Sequence, residues 1–383
     1  MTNWADDVTL PRLKIAGYKQ GFGGIARYHF DNASLGADPR MRILITGGAG
    51  YVGSVLARIL VERGDQVRVV DCGFFGLDHV DRRAEVINGN ILEPDTAWFT
   101  GVEAVVHLAG LSNDPMAAFS PSLNYMLNAG GAAIVAQAAK EAGISRFVFG
   151  STCSVYGIDD SGPLDEDHPT NPPFPYAISK LMAERMLSCL ADDRFRPIIL
   201  RKGTVIGWSP RMRFDLVANT MIKTALTEGR IVIHDPDLWR PLIDVEDAAD
   251  AYVRSIDASP TVSGTFNISG GNYTLHELAD VVAGSLKDRG LNVSVHVEPK
   301  KDVRSYRVST TKAERYLNFV ARKLIGQTVS EIIENARSWT SADFEQARYY
   351  NIRQLEHLVS TGSLGRIGGF NRPKELAEPI HAR

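Results

Sequence analysis

The run Thr46-Gly47-Gly48-Ala49-Gly50-Tyr51-Val52-Gly53 follows the apolar segment MRILI and opens a stretch with helical spacing, YVGSVLARILVERG. No other feature constrains the fold as strongly. Glycines permit a tight turn and close approach of the backbone to a pyrophosphate, and the helix behind them offers unpaired N–H groups and the positive end of its dipole. A strand before and a helix after turn this glycine pattern into a dinucleotide site, with Gly47, Gly50, Tyr51, Val52 and Gly53 as its contacts. The next apolar run, QVRVVD, ends in Asp71. A carboxylate about twenty residues beyond the glycines can accept both ribose hydroxyls of an adenosine. A 2′-phosphate would meet a like charge there, and Cys72-Gly73-Phe74-Phe75 bring no arginine to offset it, so NAD is expected rather than NADP.

Beyond the loop, short apolar runs alternate with longer helical stretches: QVRVVD, AEVING, VEAVVHLAG, an Ala-rich stretch to Ala142, RFVFGST, a helix around Ala177 to Leu190, and PIILRKG. Alternation of this kind predicts an α/β, Rossmann-type doubly wound parallel sheet, and near-continuous apolar strands fit burial on both faces. The expected organisation is an N-terminal extension over 1–40, an NAD-binding domain over 41–203, a smaller C-terminal substrate-binding lobe over 204–340 with some chain crossing back to the sheet, and a tail over 341–383. The lobe is read from RIVIH, RPLIDV, GTFNIS, a helix from Leu275 to about Lys287, and NVSVHVE. Ile352, Leu355 and Leu358 give the tail only weak helical spacing, and no chemistry is read there.

Lys and Arg number 42 against 45 Asp and Glu, a formal charge of −3, which gives no field for nucleic acid or anionic lipid. Three separated cysteines, Cys72, Cys153 and Cys189, build neither a disulfide framework nor a thiolate metal site, so no metal is expected. No apolar run approaches the roughly 18 residues of a membrane span, and the N-terminus has no basic region followed by an apolar core. A cytoplasmic protein is expected.

Tyr176-Ala177-Ile178-Ser179-Lys180 sets a phenol and an ammonium four apart at the start of a helix, on one face. A neighbouring ammonium and the positive ring of an oxidised nicotinamide both favour phenolate, which makes Tyr176 a candidate base. The strand RFVFGST places hydroxyls of Ser151, Thr152 and Ser154 at the carboxyl edge of the sheet, where cofactor and substrate meet. Cys153 has no evident partner base and reads as a small buried thiol.

Together TGGAGYVG, Asp71, HLAG at 107–110, Asn128, STCSVYG and YAISK resemble the extended short-chain dehydrogenase/reductases, specifically the nucleotide-sugar epimerase/dehydratase family, from about Met41 to about Phe319. The resemblance implies that Tyr176 is the catalytic base, Lys180 its ribose-binding and pKa-lowering partner, and Thr152 the hydroxyl bonded to the sugar alcohol. It also implies cofactor contacts from Asn90, Ile91, Leu108, Ala109 and Asn128, and a homodimer. VIGWSPRMRFDL, LWRPLIDVEDAADA and DVRSYRVSTTKAERYLNF resemble the segments that clamp the sugar nucleotide's diphosphate, which implies Arg211, Arg213, Arg240 and Arg304 as substrate ligands. A guanidinium fork suits phosphate oxygens.

Two departures bear on the reaction. The 4,6-dehydratases of the family carry Asp-Glu directly after the catalytic Thr, where this chain has Cys153-Ser154, so dehydration is not expected. Asn90 stands where the family commonly has an aspartate near the adenine. The leading expectation is NAD-dependent oxidation at C4 of a nucleotide-activated sugar, as in a 4-epimerase; WSPRMRFDL also resembles a subgroup with C4 dehydrogenases, which leaves a dehydrogenase or 4-ketoreductase open. A non-catalytic NAD-binding sensor or scaffold is the reading from another class, and retention of Thr152, Tyr176 and Lys180 argues against it.

Overall fold

The structure, a computed structural model, describes residues 41–298 and 305–363. The extension over 1–40 and Arg304 lie outside the described residues.

Seven strands form the main sheet: β1 Arg42–Thr46, β2 Gln66–Asp71, β3 Glu85–Asn88, β4 Ala104–His107, β5 Arg146–Thr152, β6 Arg196–Lys202 and β7 Gly264–Ile268. Their order across the sheet is β7-β6-β5-β4-β1-β2-β3, and every pairing is parallel. Strands β4 and β5 are buried along their whole length, which explains why they read as unbroken apolar runs. The order reverses at β1, between β4 and β2, and a ligand crevice opens outside the carboxyl ends of strands at such a point. In register, Thr46 faces both Val70 and His107, and Thr152 faces Lys202. The glycine loop, Asp71, Leu108, Thr152 and Lys202 therefore share one edge of the sheet.

The helix Tyr51–Arg63 starts at Gly50, and the turn before it depends on glycine geometry. Gly47 has φ of 75°, and a Cβ there would stand 2.4 Å from the Ala109 nitrogen; one on Gly53 would stand 2.4 Å from the Gly47 carbonyl oxygen. A Cβ on Gly50 meets only that oxygen, at 3.1 Å, leaving a surface a phosphate can approach.

Beyond β6 the strand Thr204–Ile206 pairs parallel with Trp239–Asp244, which also pairs antiparallel with Gly271–Thr274. Two further pairs join Arg230–Ile233 to Ser294–Val297 and Asp159–Leu164 to Tyr306–Val308. The stretch 204–340 is not confined to these small sheets, because β7 returns to the edge of the main one.

The C-terminal segment departs most from expectation. Asn351–Ser360 is a helix, and Leu355 and Leu358 are buried in the main core with Phe74, Ile91 and Met116. Two such side chains contribute about 1.5–3 kcal/mol each when fully buried, enough to dock a short helix that would be marginal alone. This part of the tail also reaches into the cavity described next, so the expectation that it carries no chemistry is corrected.

Candidate active site

A cavity of about 970 Å³ opens at the carboxyl edge. Its lining takes in Gly47, Gly50, Tyr51, Val52, Gly53, Asp71, Asn90, Ile91, Leu108, Ala109, Thr152, Tyr176, Lys180, Arg211, Arg213 and Arg240. Residues from across 190 positions of sequence thus meet in one space because parallel strands deliver their ends to the same side.

At one end, the Asp71 carboxylate accepts N–H bonds from Gly73 at 2.9 Å and Ala49 at 3.1 Å. Burial raises its pKa, against these two donors. The Asn90 side-chain oxygen accepts from the Leu92 N–H at 3.0 Å, shaping its own turn at the cavity wall. Tyr51 donates its hydroxyl to the Gly207 carbonyl at 2.6 Å and receives a bond from Asn219. It ties the start of the glycine-loop helix to the segment carrying Arg211 and Arg213.

In the middle, the helix Pro175–Leu190 brings Tyr176 into the same cavity wall as Thr152. Burial, and next the charge of Asp114, raise the phenol's pKa; Arg213 and Thr152 oppose this. Lys180 takes a different place from the one expected of a direct partner: its ammonium donates to the Gly150 carbonyl at 2.9 Å and lies 4.8 Å above the Phe149 ring. Burial pulls its pKa down to about 8, while Glu184, one turn further on the same face, supports the charge. Of the three strand-end hydroxyls, Ser151 is spent on Glu184, and Ser154 bonds Tyr306 and Thr152 at 3.1 Å each. Thr152 is the one that meets Tyr176. Cys153 is fully buried, its thiol directed to the Arg201 carbonyl at 3.0 Å.

Of the expected arginines, the three among the described residues line one cavity, each held by different partners. Arg211 lies 3.7 Å over the Phe75 ring, bonds Asn351 at 2.5 Å and lends positive charge that lowers the pKa of Asp71. Arg213 is gripped by both Asp215 oxygens at 2.8 Å and donates to Ser112 at 2.9 Å. Arg240, on the strand Trp239–Asp244, bonds the Trp239 carbonyl at 2.9 Å and lines the cavity further along. Asn128, expected at the cofactor, is corrected to a supporting place. It exchanges bonds with Leu111 N–H and carbonyl, donates to Asn124 and Ser179, and is absent from the cavity lining. Buried in the π-helical turn Met126–Gly130, it fixes the loop after β4 against the Tyr176 helix.

Sequence reasoning missed Ser112, Asp114, Lys202, Asp215 and Asn351, all of which line the cavity. Lys202 donates to the Tyr252 hydroxyl at 2.7 Å and the Ser151 carbonyl at 3.2 Å, and burial pulls its pKa down to about 7. Its signal was available: it ends the strand beside β5, in register with Thr152.

The residues fit a dinucleotide. The loop leaves Gly50 bare, Asp71 stands at the end of β2, and the buried Arg211 keeps a polar atom, Nε, with no protein partner. Among the described residues no cluster fit for a metal occurs, and no helix is long and apolar enough to cross a membrane.

Residues 43–269 match the NAD dependent epimerase/dehydratase family. The UDP-glucose 4-epimerase of Lactobacillus helveticus is 28% identical over 327 residues, covering 78% of this chain and 97% of that protein. The UDP-glucose 4-epimerase of Azospirillum brasilense is 34% identical over 236 residues, 56% of this chain and 68% of that one. Among solved structures, MoeE5 in complex with UDP-glucose and NAD is 26% identical with a TM-score of 0.69, covering 78% of this chain and all of that one. UDP-glucose 4-epimerase from Thermotoga maritima with UDP-glucose is 25% identical with a TM-score of 0.71, covering 78% of this chain and 99% of that one.

Proposed function

Since the chain belongs to the NAD dependent epimerase/dehydratase family, an enzyme family of the extended short-chain dehydrogenase/reductase type, we propose that it is a nucleotide-sugar 4-epimerase. The observation that carries this reading is the meeting of Thr152, Tyr176 and Lys180 in one cavity with the glycine loop and Arg240. Gly47, Gly50, Asp71 and Lys180 would hold NAD, which when bound accepts hydride from the sugar C4 and gives it back. The C4 hydroxyl sits against Thr152 and Tyr176, and the Tyr176 phenolate takes its proton as the C4–H bond is lost. Arg213 in the protein and the positive ring of oxidised NAD favour this, against burial and the charge of Asp114. Were hydride returned to the opposite face of the 4-keto sugar, Tyr176 would give the proton back and the C4 epimer would form.

The nucleotide sugar's diphosphate belongs at Arg240, at the substrate end. The relatives' names favour a UDP-hexose as substrate. Incubation of the purified protein with UDP-, GDP-, CDP- and dTDP-sugars, read by NMR and by absorbance at the NADH band, tests the reading. Interconversion of two C4 epimers without lasting NADH is expected. Stoichiometric NADH with release of a 4-keto sugar would make the enzyme a dehydrogenase instead.

A further inference from the structure

An epimerase must keep its cofactor while the keto sugar turns over, and the C-terminal segment is built against the cofactor end of the cavity. Asn351, at the first turn of the helix Asn351–Ser360, is 3% exposed. Its side-chain oxygen accepts from Arg211, and its amide donates to the Ser112 hydroxyl at 3.0 Å. Three residues on, the Gln354 amide donates to the Phe74 carbonyl at 2.9 Å, within the turn that follows Asp71. Arg211 itself is flat on Phe75, nine-tenths or more buried, with Nε unpaired.

The segment just before this helix grips the loop that carries Arg211. Phe214 packs edge-on to Trp339 at 5.8 Å and Phe344 at 5.1 Å, and its N–H donates to the Tyr349 carbonyl at 3.1 Å. A guanidinium held by stacking on one ring alone could swing about that stack; the bond from its terminal nitrogen to Asn351 removes the freedom. A fixed cation stacked on Phe75, in the wall of the cavity that Asp71 also lines, is placed to bind the adenosine end of the dinucleotide by a charged hydrogen bond.

We propose that Asn351 is a positioning residue of the cofactor site, holding Arg211 over Phe75 so that the C-terminal helix clasps NAD and prevents its exchange between turnovers. This rests on the epimerase reading, in which the cofactor is never released.

The test is the rate at which bound NAD exchanges with labelled NAD in the absence of any sugar, followed by loss of the unlabelled cofactor after rapid desalting. Asn351→Leu keeps the shape and removes the hydrogen bonds; exchange at least tenfold faster than in the unaltered protein is expected. Asn351→Asp, which can still accept from Arg211, should restore slow exchange. Arg211→Met should accelerate exchange as much as Asn351→Leu, and the double variant should add little more, since both act through one contact. A purely structural role would give additive effects and no rescue by aspartate. Wild-type exchange rates in Arg211→Met, which removes no part of the C-terminal helix, would overturn the proposal even if Asn351→Leu failed to fold. Because no sugar is present, failure of the epimerase assay and failure of the clasp are seen separately.

Discussion

Lys180 and Lys202 hang their ammonium groups from consecutive carbonyls of one strand: Lys180 donates to Gly150 at 2.9 Å and Lys202 to Ser151 at 3.2 Å. The arrangement concentrates two cations under the edge where hydride transfer is proposed, and each is desolvated. Their pKa values fall to about 8 and about 7, so between those values and the ordinary 10.5 the folded protein binds fewer protons than the unfolded chain. Stability from this pair therefore rises with pH from about 7 toward 10, the range in which the unfolded lysines are still charged. Thermal melts of cofactor-stripped protein should show a Tm that climbs over this window, and Lys202→Met should flatten the climb. An identical slope in the variant would show that Lys202 is not held deprotonation-prone.

Tyr176→Phe removes the proposed base while leaving the ring in place. Turnover should drop by about two or more orders of magnitude with NAD still bound, the scale usual for general acid–base groups. Lys180→Met should move the onset of activity to higher pH, because the oxidised site loses a positive charge that favours phenolate. Near-normal turnover in a cofactor-loaded Tyr176→Phe protein would overturn the mechanism.

The arginines should separate by function. Arg240→Ala should weaken nucleotide-sugar binding by about 1.5–3 kcal/mol, the worth of a charged hydrogen bond, without changing NAD affinity. Calorimetric titration of each ligand checks the split. Unaltered sugar-nucleotide affinity would move the diphosphate elsewhere.

NAD should bind at least tenfold more tightly than NADP, about 1.4 kcal/mol, because a 2′-phosphate would meet the like charge of Asp71 and cost the ribose hydroxyl its bond to that carboxylate. Arg211, which lines the same cavity and whose charge acts on the carboxylate, makes this a sharper test than sequence allowed. Equal affinities would assign Arg211 to a 2′-phosphate and remove the argument from Asp71.

Much of this site could be read from the chain because its parts are local. The glycine loop is a strand-turn-helix pattern within eight residues, and Tyr176 and Lys180 lie on one helical face. The parallel sheet follows from alternation, and its strand ends converge by topology. What could not be read depends on pairs far apart in sequence. Arg211 and Asn351 are separated by 140 positions, and tertiary packing brings them together, Phe214 against Trp339 and Phe344 and Leu355 and Leu358 in the core. The polar face of the helix Asn351–Ser360 hides this, since its weak apolar spacing describes how it docks and not what it holds. Asn128 misled for the opposite reason: a motif position shared with a family says nothing of which way its amide faces.

The final prediction concerns the reaction that the strand end forbids. In the family's 4,6-dehydratases an acid and a base follow the catalytic Thr, to protonate the leaving C6 hydroxyl and remove the C5 proton. Here the first position is Cys153, fully buried with its thiol on the Arg201 carbonyl, and burial raises its pKa. The second is Ser154, whose hydroxyl is engaged by Thr152 and Tyr306. Neither can deliver a proton to a departing hydroxide at neutral pH, and a missing proton-transfer group costs about two to four orders of magnitude. The Cys153 side chain also points into the core formed with Tyr156, Leu164 and Tyr306, so restoring an acid there by Cys153→Asp should destabilise the fold rather than create a dehydratase. NMR of reactions with unmodified hexose nucleotides should show no C6 methyl signal from the wild-type protein or the variant. A methyl doublet from the wild type would mean that another cavity carboxyl, with Asp114 the first to examine, performs the elimination.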